Sequence, residues 1–276
     1  MSVSRIEDKV RIIEAAEGNG CRFEILEYQE LTGSEDVGLA ETLFYAKQAG
    51  IRLKMVRITI SQSEVVTESG ALYFMKGNIE MDSPTGGVTG LAKKLIASRL
   101  TKEDTFKPHY RGTGEIYLEP TFSHFVLVDL NDEEMVVDKG MFFACESTVE
   151  VGVKVQKSIS SALMGGEGFF QSRLSGTGIA LLASPVPSDE IVRYELTGDK
   201  LSVDGNFAIL RKGDIEFKVE KSSKSLLGSM TSGEGMLQTF SGHGEVWVAP
   251  TQAAYDRIAH GGLYSVTGSD SSGTAT

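Results

Sequence analysis

Nine residues recur three times along this chain. They read GTGEIYLEP at 112–120, GTGIALLAS at 176–184 and GHGEVWVAP at 242–250. The glycine pairs stand 64 and 66 residues apart. Recurrence at a near-constant period means one supersecondary unit used repeatedly, each copy too small to bury its apolar face alone.

The similarity extends beyond the nine residues. VVDKGMFFACESTVEVGV (136–153) lies over SVDGNFAILRKGDIEFKV (202–219) at an offset of 66, so Val137 meets Val203 and Val149 meets Ile215. TESGALYFMKGNIEMD (67–82) lies over VDKGMFFACESTVEVG (137–152) at an offset of 70, so Gly70 meets Gly140 and Ile79 meets Val149. The units run over 51–120, 121–185 and 186–250; residues 1–50 precede them. A tail over 251–276 ends in a Ser/Thr/Gly run expected to be disordered.

Within each unit the period is two. Ile215, Phe217 and Val219 alternate with Glu216 and Lys218, and Val149, Val151 and Val153 repeat the pattern. Such alternation marks half-buried strands. FVLVDLNDEEMVVD (125–138) and IVRYELTGDKLSVD (191–204) read as hairpins around polar turns at Leu130–Glu133 and Thr197–Asp199. Helical spacing predicts short helices over RIEDKVRIIEAA (5–16) and LAKKLIASRL (91–100).

The glycines invite a phosphate-cradle reading, but a dinucleotide fingerprint follows a strand and opens a helix. Here the third glycine is missing and a strand follows. Gly112, Gly114, Gly176, Gly178, Gly242 and Gly244 are therefore read as a bulge or bend before a strand. GGEG (165–168) and SGEG (232–235) lack the Lys-Ser/Thr of a P-loop. Gly166, Gly168, Gly233 and Gly235 are read as turn glycines.

No catalytic constellation emerges. His109, His124, His243 and His260 show no metal-ligand spacing, and no G-x-S-x-G elbow occurs. No catalytic residue, metal ligand or cofactor is assigned, and the ligand-binding residues are unassigned. Tyr117, Leu181 and Trp247 occupy matching positions and are read as structural equivalents rather than an aromatic cage. Cys21 and Cys145 lack a CxxC spacing and are read as free thiols of a reducing compartment.

The formal net charge of −11 weighs against broad nucleic-acid binding. The N-terminus lacks the features of a secretory signal or transit peptide, and no integral membrane segment is found. The expectation is a cytoplasmic protein. Its fold class is all-β: three units packed around a pseudo-threefold axis into one compact body, with one or two short helices.

ESGALYFMKGNIEMD, GTGEIYLEP, GMFFACESTVEVGV, GGEGFFQ and NFAILRKGDIEF together resemble the altered-inheritance-of-mitochondria protein twenty-four family, over roughly residues 20–250. The resemblance implies TRAP-like units, a variant of the double-stranded β-helix, with rings formed by oligomerisation. It supplies no catalytic residue. The expected function is a non-enzymatic homo-oligomeric scaffold, a ring and plausibly a trimer, that binds a protein partner of unknown identity. The alternative is a small-ligand-binding protein with sites between units or subunits. An enzyme using His109 or His243 ranks last.

Overall fold

The structure, a computed structural model, describes residues 5–82, 107–156, 169–221 and 236–261. The described chain is mostly antiparallel strand, as expected. The strands are β1 (Val10–Glu17), β2 (Cys21–Tyr28), β3 (Lys54–Thr67), β4 (Leu72–Asp82), β5 (His109–Leu118), β6 (His124–Val137), β7 (Phe142–Glu146), β8 (Val149–Gln156), β9 (Phe169–Ser184), β10 (Val192–Asp204), β11 (Ala208–Lys221) and β12 (Met236–Val248). Two short helices accompany them, α1 (Val37–Gln48) and α2 (Gln252–Gly261). The chain divides into two compact units between Ser184 and Pro185, where the second repeat ends.

Each repeat is a small antiparallel sheet with its last strand in the middle. In the first, β5 pairs with β3 on one side and β4 on the other. In the second, β9 lies between β6 and the β7–β8 pair. In the third, β12 lies between β10 and β11. Registers match too: Gly112 faces Ile79, Gly176 faces Val149 and Gly242 faces Ile215.

The paired glycines lie inside the central strands β5, β9 and β12, not before a strand as the sequence suggested. At five of the six a neighbouring backbone carbonyl comes too close for any side chain, and at Gly178 the Glu146 carboxylate does. A Cβ on Gly112 would lie 2.1 Å from the Asn78 carbonyl oxygen, and one on Gly242 would lie 2.2 Å from that of Asp214. All six positions also have positive φ, 140° at Gly112 and 126° at Gly242, where an L side chain is strained. Gly166, Gly168, Gly233 and Gly235 lie outside the described residues, as does the helix expected over 91–100.

Opposite each glycine pair the outer strand bulges, and this corrects the two expected hairpins. Both segments are single long strands, β6 and β10, with register shifts at Asn131/Glu133 and Thr197/Lys200. The polar residues accommodate an extra residue instead of reversing the chain. Asp132 adopts φ 54°, as Gln62 of β3 adopts φ 51°. The Asp132 and Gln62 amides donate to Thr177 and Thr113 Oγ1 at 3.0 Å each, so the threonine between the glycines fastens the bulge. In the third repeat His243 replaces that threonine, and Asp199 Oδ1 accepts from the Thr197 amide at 3.0 Å instead.

The helix expected over 5–16 is also corrected. Residues Ile6–Asp8 form a short 3-10 turn and Val10 begins β1. A register shift at Ile12/Glu14 breaks the alternation, so the strand period is disguised and a helical spacing arises by coincidence. Strand β1 pairs with β2, and β2 pairs along β3 from Lys54 to Ile60.

The core of the first unit gathers Phe23, Ile25, Ile58, Ile60, Tyr110, Ile116 and Leu118 with Ala144, Ile179 and Leu181. A smaller cluster of Val10, Leu26, Met55 and Tyr117 forms a second group. Each large side chain contributes about 2 kcal/mol by leaving water.

The glycine constraint is testable by contrast. Gly112→Ala is expected to cost at least about 3 kcal/mol in urea unfolding, combining strain with the backbone clash. Gly140→Ala, at positive φ but with nothing within 4 Å of its Cβ, is expected to cost about 1 kcal/mol.

Candidate functional site

The histidines serve separate local roles. His109 Nδ1 lies 2.6 Å from Glu64 Oε1, while Glu64 Oε2 accepts from Arg111 Nε at 2.9 Å. Burial opposes the Glu64 charge, but the Arg111 and His109 hydrogen bonds prevail and hold its carboxyl below the ordinary range. The second repeat places Glu134 equivalently, between Lys154 and Arg173 at 2.6 Å each. This is a recurring cross-strand ion pair. His243 stands opposite Thr197 and Asp214, His124 opens β6 opposite Ser184, and His260 lies in α2. Among the described residues no group of three or more His, Cys, Asp or Glu is placed to hold a metal ion.

Tyr117, Leu181 and Trp247 do occupy one register position, facing Arg57, Leu127 and Arg193. All three are buried. The first and third repeats share further chemistry there. The Tyr117 hydroxyl donates to Glu115 at 3.2 Å and Trp247 Nε1 donates to Glu245 at 2.9 Å. The Arg193 guanidinium lies 4.0 Å from the Trp247 ring centroid.

The middle repeat differs because Glu146 turns inward. Its carboxylate accepts from the Asn19 amide at 2.7 Å and the Ile179 amide at 2.6 Å, with Cys21 Sγ 3.4 Å away. Burial, reinforced by this carboxylate, pushes the Cys21 thiol up to about 12. Burial likewise raises Cys145. Both thiols are free and suited to packing rather than nucleophilic chemistry.

A charge network ties the N-terminal turn to the sheet. Arg57 bonds Glu24 at 2.6 Å and Glu7 at 2.5 Å, and Arg22 bonds Glu24 at 3.0 Å. Burial disfavours the Glu24 charge, yet the hydrogen bonds from Arg57 and Arg22 outweigh it and lower its pKa.

Among the described residues, strand edges and one helix expose large apolar side chains. Among the described residues β4 pairs only with β5, and β10 only with β12. Strand β4 exposes Tyr73, Phe74, Met75 and Met81; β10 exposes Val192 and Tyr194. Phe74 stacks on Tyr117 at 4.3 Å, which presents an aromatic face beside the open edge. Helix α1 is capped by Asp36, whose carboxylate accepts from the Leu39 amide at 2.9 Å. None of its residues is buried, although Leu39, Phe44 and Tyr45 are large and apolar. Beneath it lies a groove of about 730 Å³ lined by Tyr28, Leu31, Leu39, Leu43, Leu53 and Phe122. Sequence reasoning missed both features, although the closely spaced apolar residues of 37–46 and the two-faced apolar pattern of 72–75 were visible signals.

These features define a class: an antiparallel β protein of three equivalently paired repeats, with open edge strands and an uncovered helix. The chain belongs to the family described as mitochondrial biogenesis AIM24, which it matches over residues 45–251. An uncharacterized protein of Streptococcus pyogenes serotype M6 is 24% identical over 226 residues, covering 79% of this chain and 89% of that protein. A crystal structure of a Streptococcus pyogenes protein superposes with a TM-score of 0.54 at 20% identity, covering 76% of this chain and 94% of that one. That likeness concerns the fold alone. No helix among the described residues is long and apolar enough to cross a membrane.

Two outcomes follow from the charge network. Arg57→Ala leaves Glu24 buried without its main partner and is expected to cost about 3 kcal/mol in denaturant unfolding. The carboxyls of Glu24, Glu64 and Glu134 are held below their ordinary 4.5. Their stabilisation is present above that value and is lost as pH falls through their folded-state values. Thermal melts are therefore expected to fall below about pH 4.5, with a shallower acid branch in Arg57→Ala.

Proposed function

We propose that this protein is a non-enzymatic homo-oligomeric scaffold that binds a protein partner, and that its copies join through strands β10 and β4. One observation carries the reading. Within the first unit, consecutive repeats are joined by the end of β3, the first strand of repeat one, pairing with β7, the second strand of repeat two. The contacts are Val65 with Glu146, Val66 with Cys145 and Thr67 with Ala144. Along a series built this way, the first strand of the last repeat and the second strand of the first repeat are left over. These are β10 and β4. An open apolar edge strand is a template for another strand.

Carried over to β10 and β4, the register of that pairing gives the proposed joint Leu201 opposite Lys76, Ser202 opposite Met75 and Val203 opposite Phe74. A head-to-tail contact of this kind closes into a ring when its rotation permits, and a trimer of TRAP-like triple units is the expected count. The acidic balance favours a protein partner over nucleic acid. The two buried free thiols favour the cytoplasm.

Native mass spectrometry of the full chain tests the assembly, with a closed oligomer of integer mass expected. Cysteine pairing tests the joint. Mixed Met75→Cys and Ser202→Cys proteins are expected to form a disulfide between chains on mild oxidation, while neither does so alone. A bare monomer, or a disulfide that forms only within the doubly substituted chain, would overturn the reading.

A further inference from the structure

Strand β10 has a counterpart in the first repeat that shows what its edge can hold. The counterpart is β3, because Arg57 faces Tyr117 and Arg193 faces Trp247 at one register position. Strand β3 divides its outer edge between two neighbours: β7 takes residues 65–67 and β2 takes residues 54–60. Carried onto β10, the stretch that β2 covers corresponds to residues 190–196. Among the described residues, the only strand paired with β10 is β12, on its other side.

The side chains follow the same comparison. Beside β2, Val56 and Ile58 are 1% and 0% exposed, whereas their counterparts Val192 and Tyr194 are 39% and 44% exposed. Arg57 is bonded by Glu24, which stands directly opposite it on β2. Arg193 is exposed and held flat on the Trp247 ring, yet it has no carboxylate partner among the described residues. The edge therefore offers a positioned guanidinium flanked by two uncovered apolar side chains.

Strand β2 is the molecule's own example of a segment that fits. In its register, Glu24 would meet Arg193, Ile25 would meet Val192, Phe23 would meet Tyr194 and Arg22 would meet Glu195. Every one of these cross-strand pairs is complementary. Glu195 also faces Glu245 across β12, so a cation beside it offsets a like-charge pair. The match ends at Glu190, which stands where Lys54 meets Glu27 and is engaged by Thr251 and Tyr255.

We propose that the first half of β10 binds a partner protein by strand addition, taking an extended antiparallel segment that reads cation, apolar, anion, apolar. This rests on the reading of the chain as a scaffold with a protein partner, and gives that partner its chemistry. Backbone hydrogen bonds along an open edge supply affinity, and the alternating side chains supply selection. A second copy is not the occupant: its β2 is engaged on both edges, by β1 and β3, and its β4 takes the other half of β10.

The probe is a fluorescent peptide of residues 19–26 with Cys21→Ser, titrated into the full chain and followed by anisotropy. Saturable one-to-one binding is expected. Arg193→Glu, at an exposed position, is expected to weaken it by about tenfold. A peptide carrying Glu24→Lys is expected to bind Arg193→Glu better than it binds the unaltered chain, a reversal that a merely structural arginine would not give. Methylating the peptide amides that face β10 is expected to abolish binding. Absence of saturable binding overturns the proposal, as does equal binding of the methylated peptide or indifference to the charge exchange. Peptide that binds while releasing monomers from the oligomer overturns it in favour of a contact between copies. Native mass spectrometry separates this site from the assembly. A chain that assembles yet ignores the peptide overturns this inference alone, and a bare monomer that binds the peptide supports it and overturns only the assembly.

Discussion

Close approach between two strands governs this fold. In each repeat the central strand presses against its neighbour with a carbonyl oxygen where a Cβ would otherwise stand, 2.2 Å from the ideal position at both Gly114 and Gly244. Only glycine tolerates that geometry together with positive φ. The outer strand on the other side, the first of each repeat, answers with a bulge, fastened in the first two repeats by the threonine between the glycines. Twist, register and inward-facing residues all follow from that local arrangement, because a one-residue slip would reverse every side chain beyond it. The recurrent G-x-G therefore acts as a register mark, and this physical requirement explains its presence in all three repeats.

Much of the architecture was legible for that reason. The offsets of 70 and 66 that align the outer strands in sequence, and of 64 and 66 that align the glycine pairs, also align the strand pairings. Tyr117, Leu181 and Trp247 fall on one register position as their spacing suggested. What escaped the sequence depended on single residues. Asp132 in a left-handed conformation looks like a turn residue whether the chain reverses or merely bulges. The shift at Ile12/Glu14 hid a strand behind a helical spacing. The groove and the open edges were less legible still. Whether an apolar residue is covered depends on partners distant in sequence, such as Phe122 opposite Leu43, and period alone carries no such information.

The three repeats have not kept equal roles. The first and third hold an aromatic ring, a facing arginine and a carboxylate two residues before the ring. The second replaces that set with Leu127, Ile179 and Leu181 and gives the space to the core. Charge is thus concentrated on the first and third repeats at this register position, and apolar packing on the middle one.

Glu146 shows what this division entails. Lys76 and Lys212 occupy the corresponding places and reach outward toward Glu115 and Glu245, whereas Glu146 fills a notch shaped by Gly18 and Gly178. Its amide partners come from the β1–β2 turn and from β9, so a residue of the middle repeat is completed by the leader preceding the first. The copies are consequently no longer interchangeable modules. Excising the middle repeat would leave the leader's Asn19 amide without its acceptor, and transplanting a lysine-bearing copy into that slot would drive a cation into a pocket of amide donors. The chain repeats in sequence, but this one carboxylate fixes the order of its copies.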